Sequence, residues 1–195
     1  MRIVWTLLAL GMLTLSAQAH YHLLLPETAT PKLNEPLKFS LRFGHPYEHE
    51  FHEVNEPSSV SVIDPDGKTL AIKDFTKQLD KDKKVEGFSF SFTPTKRGTY
   101  FISAKSNPLW MDEDKEFIHD VVGVYVMVGS PKGWDATDRS ELEPLTRPFG
   151  IRAGMTFRGQ FAFEPERPHL VEFEKYNPIP PKELPSDEHV TYATK

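Results

Sequence analysis

The sequence predicts an all-β protein: an immunoglobulin-like β-sandwich followed by a second, smaller β domain that is truncated at its C-terminus. Three observations carry this expectation. Leu37–Phe43 and Phe88–Phe92 alternate apolar and polar residues strictly, the period-2 pattern of half-buried strands. Turn chemistry punctuates the chain at Asp64-Pro65-Asp66-Gly67 and at Pro94/Gly98. Val121–Val128 is a longer β-branched run, and short strands at this spacing build sandwiches.

Taken in order, the elements begin with a leader. Arg2 supplies a positive start, Ile3 to Leu15 are almost all apolar, and Ala17-Gln18-Ala19 is a small-x-small cleavage site. The apolar run is shorter than the roughly 20 residues that span a bilayer. Residues 1–19 therefore read as a signal peptide, and the exported chain starts at His20, periplasmic or secreted, with no stable membrane span. Leu23-Leu24-Leu25 reads as a buried strand. Val60–Ile63 and Thr69–Ile72 form a hairpin across the Asp64–Gly67 turn, and Tyr100–Ala104 alternates again. The charged stretches Lys77–Lys84 and Asp112–Glu116 read as solvated loops. Together these make an N-terminal sandwich over residues 20–130.

Pro131, Gly133, Pro144 and Pro148 interrupt any periodic pattern, so residues 131–150 read as a linker, with at most a helical turn over Asp135–Glu143. A partial second domain over residues 151–195 carries strands at Met155–Phe163, Leu170–Glu174 and Val190–Tyr192, the last two separated by a proline-rich stretch from Pro178 to Pro185. About three strands make a marginal sheet on their own, and a strand just begun at the end of the chain is an unprotected edge.

Composition narrows the chemistry. Hydrophobic residues are 38% of the chain and aromatics 12%, enough to fill a core. There is no cysteine, which removes disulfides, thiolate zinc sites, iron–sulfur clusters and blue copper. Any metal must be held by nitrogen and oxygen. A formal net charge of −5 offers no basic surface for nucleic acid.

The histidines are clustered. Five of the eight fall in two short segments: His20 and His22, then His45, His49 and His52. The second segment, Gly44-His45-Pro46-Tyr47-Glu48-His49-Glu50-Phe51-His52-Glu53, directly follows a strongly patterned strand. It therefore reads as a loop or sheet end, where binding residues usually sit. Imidazole suits Ni²⁺, Co²⁺, Cu²⁺ and Zn²⁺, and Glu48, Glu50 or Glu53 could complete a shell or orient the rings.

His20-Tyr21-His22 admits two geometries. A flexible terminus would wrap Cu²⁺ or Ni²⁺ in a square plane of backbone and imidazole nitrogens. A strand over residues 20–25 would instead put His20 and His22 on one face, roughly 6.5–7 Å apart. The apolar run after them favours the strand, with the α-amine that cleavage creates as an added ligand. Isolated histidines beside turns are usually solvated, and His119, His169 and His189 are read so. His45 and His49 flank Glu48 in the wrong order for a zinc-protease helix, and Pro46 interrupts any helix there. No nucleophile elbow, phosphate loop or placed carboxylate pair points to catalysis, so the expectation is a protein that is not an enzyme.

Several segments together resemble a known family. They are Ala19-His20-Tyr21-His22-Leu23-Leu24-Leu25-Pro26, Phe43-Gly44-His45-Pro46-Tyr47-Glu48, Phe92-Thr93-Pro94 with Gly98-Thr99-Tyr100, and Leu142–Leu145 leading to Gly154–Gln160. The chain is similar over nearly its whole mature length to an exported family of unknown function linked to periplasmic nickel or cobalt uptake (NikM/NikK-like). The resemblance implies two sandwich-like domains and a partner in a membrane transporter of the energy-coupling-factor type. It makes His20 and His45 the first metal ligands, with His22, Glu48 and His49 next. That family continues past a stretch like Val190–Lys195 with a Gly turn and a tryptophan-containing strand, which this sequence lacks.

The expected function is thus a periplasmic binding protein for a divalent transition metal, Ni²⁺ or Co²⁺, with Cu²⁺ or Zn²⁺ as further candidates. Copper handling is the alternative within the binding class, since nitrogen sites favour Cu²⁺ intrinsically. A sandwich adhesion or scaffold module is the alternative outside it.

Overall fold

The computed structural model describes residues 20–46, 49–79, 81–82, 84–112, 115–135, 142–161, 170–174, 176, 179 and 189–193. The expected signal peptide (1–19) and Glu48 lie outside the described residues, as do 136–141 of the expected linker and most of 162–188. Fifteen strands and no helix occur among the described residues. In chain order they are β1 (Tyr21–Pro26), β2 (Leu37–His45), β3 (Glu50–Phe51), β4 (Ser59–Ile63), β5 (Thr69–Ile72), β6 (Thr76–Leu79), β7 (Val85–Phe92) and β8 (Gly98–Lys105). There follow β9 (Leu109–Met111), β10 (Glu116–Ile118), β11 (Val121–Val128), β12 (Leu142–Pro144), β13 (Gly159–Phe161), β14 (Leu170–Glu174) and β15 (His189–Ala193).

Two antiparallel sheets form the sandwich. One runs β1-β2-β7-β6, with β3 added at the end of β2; the other runs β11-β8-β4-β5. The alternation read in β2 is realised: Leu37, Phe39, Leu41 and Phe43 point inward and are buried, while Lys38 is exposed and Ser40 and Arg42 are half-buried. They meet Val60 and Val62 of β4, Tyr100 and Ile102 of β8, and Val126 and Val128 of β11 in a single apolar cluster. Each such side chain stabilises the fold by about 1.5–3 kcal/mol on burial. Phe39 stacks on Phe90 with ring centroids 5.0 Å apart, a cross-strand pair within the first sheet.

The turns behave as their chemistry demands. The expected β4–β5 hairpin forms, with Asp64 Oδ1 accepting the N–H groups of Asp66 and Lys68. Gly67 takes φ +84°, a left-handed value. The Pro94/Gly98 stretch carries the chain from one sheet to the other, since β7 and β8 lie in different sheets. There the Tyr100 hydroxyl accepts the Lys96 N–H at 2.9 Å and donates to the Lys96 carbonyl at 3.1 Å.

The stretch Lys77–Lys84, read as a solvated loop, contains part of a strand. Thr76–Leu79 pairs with β7 as a sheet edge, with an irregularity between Gln78 and Leu79. Edge strands tolerate the charge that the pattern took for a loop, because one side and one face meet solvent. Glu116–Ile118 pairs with Leu109–Met111, and the exposed Asp112 and Lys115 lie in turns between them, as the loop reading expected. Beyond the sandwich, Leu142–Pro144, within the expected linker, pairs with Gly159–Phe161, and Leu170–Glu174 pairs with His189–Ala193. Among the described residues, no helix is long and apolar enough to cross a membrane.

Lys96 holds the β4–β5 turn by two ion pairs of 2.7 Å, to Asp64 and to Asp66. Burial pushes the Asp64 carboxyl up, but the hydrogen bonds from Lys96 and from the Lys68 and Asp66 amides outweigh it and hold it below the usual range. The Lys96 ammonium does the same to Asp66, with Lys132 adding to it. Depressed carboxylates contribute stability that is present above their unfolded pKa of about 3.9 and lost as pH falls through the folded values. Lys96→Met should therefore destabilise the protein more at pH 7 than at pH 3, as read by urea unfolding at both. An equal loss at the two pH values would contradict the assignment.

Candidate metal centre

The end of β2 is built by a glycine. Gly44 has φ +146°, and a Cβ there would run into the Glu50 carbonyl oxygen and the Phe51 backbone. With only hydrogen at that position, the chain turns back after His45 and Pro46 and lays β3 against the last residues of β2. The register is Gly44↔Phe51 and His45↔Glu50, and His52 N–H donates to the Phe43 carbonyl at 2.9 Å. On the other side of β2, β1 pairs Tyr21↔Gly44 and His22↔Phe43, so the next step along the ladder sets His20 opposite His45.

Three imidazoles meet there. His20, His45 and His52 each offer a ring nitrogen, and these atoms all lie within 4.8 Å of one another. His20 Nε2 and His52 Nε2 are 3.1 Å apart. Two nitrogens bound to one metal at about 2.0–2.1 Å are separated by about 2.8–3.4 Å for right-angled to tetrahedral ligation, so this pair already has a shared-ligand spacing. The His20 ring lies 4.5 Å from those of His45 and His52, centroid to centroid, and stacks 5.5 Å from buried Phe43. His45 is 5% exposed, and its Nδ1 is buried with no hydrogen-bond partner. An unsatisfied buried polar atom costs about 1–3 kcal/mol. A bound cation would remove that cost. Among the described residues the group holds only imidazoles, a donor set suited to Zn²⁺, Cu²⁺, Ni²⁺ and Co²⁺ and unsuited to Ca²⁺ or Mg²⁺.

The structure sorts the sequence candidates. His20 and His45 converge, as the two segments suggested. His22 shares their face and packs 4.7 Å from Phe43, but its Nδ1 lies 2.6 Å from Oδ2 of Asp120, the residue before β11. Asp120 is itself fixed by Ser106, whose Oγ accepts the Asp120 N–H at 2.8 Å and whose N–H donates to the Asp120 carbonyl at 2.9 Å. His49 sits at a left-handed φ of 58° with its ring 4.7 Å from Phe51. It lines a cavity of about 340 Å³ with Lys38, Ser40 and Arg42, on the face of β2 opposite to His45. Glu48 lies outside the described residues. His52 belonged to the histidine-rich segment but not to the chosen ligands, and the Phe43–His52 register that brings it in is invisible in one strand's pattern. His119 is exposed, and His169 lies outside the described residues.

A family described as a domain of unknown function (DUF4198) matches residues 17–182. The chain belongs to that family. The DUF4198 match takes in all three converging histidines together with Gly44, and the family's description assigns them no chemistry. No curated protein matches the chain. No solved structure matches it either.

Gly44→Ala should disrupt the β2–β3 approach and cost more than about 1 kcal/mol, because both the φ value and the Glu50 backbone oppose a Cβ. Chemical denaturation measures the loss. Amide exchange should localise it to His45–His52, and unaltered exchange there would contradict this role.

Proposed function

We propose that this DUF4198 protein is a non-enzymatic, periplasmic binder of a divalent transition metal, nickel or cobalt in the first instance. Its role is that of a NikM/NikK-like component serving a membrane uptake system of the energy-coupling-factor type. The convergence of His20, His45 and His52 at the end of the sandwich carries the reading. Support comes from two separate chain segments supplying the rings, from the buried and unpartnered Nδ1 of His45, and from a group that is all imidazole among the described residues. Export follows from the leader read in residues 1–19, and the transport partner from the family resemblance of the His20 and Gly44-His45 segments.

In this reading His22 acts from outside the group, holding β1 to β11 through Asp120. Glu48 follows His45 closely enough in the chain to join or orient the shell. His49 serves the opposite face. The immunoglobulin-like character of the sandwich belongs to the same proposal: the strand order of the two sheets and the hydroxyl of Tyr100 bonded back to Lys96 match that architecture. Copper is the competing cargo, because imidazole sites bind Cu²⁺ more tightly than Ni²⁺ or Co²⁺ whatever their biological use.

Calorimetric titration with Ni²⁺, Co²⁺, Cu²⁺ and Zn²⁺ tests the reading. His45→Ala and His52→Ala should each weaken binding at least tenfold, about 1.4 kcal/mol, while circular dichroism stays that of a β protein. Binding unchanged in both variants would overturn the site, and the scaffold-module reading would replace it.

A further inference from the structure

From the way the His20 ring is turned, we infer that His20 holds the metal at the tip of its imidazole, through Nε2, so that the α-amine of His20 is not a ligand. This deepens the metal-binding reading and rests on it. An N-terminal histidine can chelate through its amine only together with Nδ1, the ring nitrogen next to the attachment carbon, closing a six-membered ring. Nε2 lies on the far side of the imidazole, and a metal bound there is out of reach of the same residue's backbone nitrogen. Turning the ring over about its attachment bond leaves Nε2 at the tip, so it does not convert one mode into the other. The two modes put the metal in different places.

The structure places His20 in the tip mode. Its Nε2 faces His52 Nε2 at 3.1 Å, and its ring stands 4.5 Å from that of His45, on the inward side of the sheet. The stacking on Phe43, at 22° between ring planes, braces the imidazole in this attitude from beneath. His52 can reach a metal at the tip of His20.

Two consequences follow. The site is complete as soon as β1, β2 and β3 have paired, whether or not a leader still precedes His20. Three imidazoles also leave at least one coordination position to a small exogenous donor such as water, the open arrangement that lets a metal exchange. A cargo bound in this way can be passed to an acceptor that enters at the open position.

Titration of three proteins with Ni²⁺ decides the matter: one beginning at a free His20, one in which a Met-Ala extension caps the amine, and His20→Ala. Tip ligation predicts that the free and capped proteins bind within about threefold of each other, while His20→Ala loses tenfold or more. His20→Gln, which keeps a polar side chain at the start of β1, should lose as much and guards against a folding defect in the alanine variant. Free His20 binding at least tenfold tighter than capped would overturn tip ligation and leave the metal site standing. Equal binding by all the proteins would remove His20 from the site and overturn the proposal. Binding by none would overturn the metal reading itself.

Discussion

The close approach of β3 to the end of β2 at Gly44 is the contact on which the histidine cluster depends. His20 and His45 face each other through ordinary antiparallel pairing, which needs no special residue. His52 joins them only because the chain doubles back within a few residues of His45, and that reversal brings the Glu50 carbonyl into the space a Cβ would fill. A single missing side chain thus converts a two-histidine pair into a three-nitrogen group. Phe43, almost wholly buried beneath the rings of His20 and His22, supplies the rigid floor.

Two buried histidines at this end of the sandwich show how burial and function separate. His22 and His45 are 6% and 5% exposed, so neither is free to seek water. The His22 Nδ1 has an answering carboxylate in Asp120, and Asp120 is positioned by Ser106; the set ties the first strand of one sheet to the last strand of the other. The His45 Nδ1 has no such answer. Folding alone gives no reason to hold an imidazole in that state beside two more, where an aliphatic side chain would fill the space without a polar cost. A ligand that coordinates nitrogen gives one. The same contrast separates His49, whose ring packs on Phe51 on the outer face of the sheet, from the converging three.

Much of the sandwich was legible because period-2 alternation and turn residues are local signals. Leu37–Phe43, the Asp64–Gly67 hairpin and Val121–Val128 are all found where the pattern put them. The edge strand Thr76–Leu79 was not, since its lysine and threonine pattern is what a solvated loop also shows and only its pairing with β7 distinguishes the two. At the site, the family resemblance put His20 and His45 first, and clustering of histidines along the chain picked out only the two segments that hold them. Clustering could not rank His52 above His49, because that choice depends on which face each ring takes after the reversal at Gly44. The tie between His22 and Asp120 spans 98 positions of sequence, and no local pattern announces it.

Anomalous diffraction from crystals grown with Ni²⁺ tests the central claim most directly. The account predicts a single dominant peak about 2.0–2.2 Å from a ring nitrogen of each of His20, His45 and His52. A dominant peak at other residues, with those three imidazoles unliganded, would contradict it.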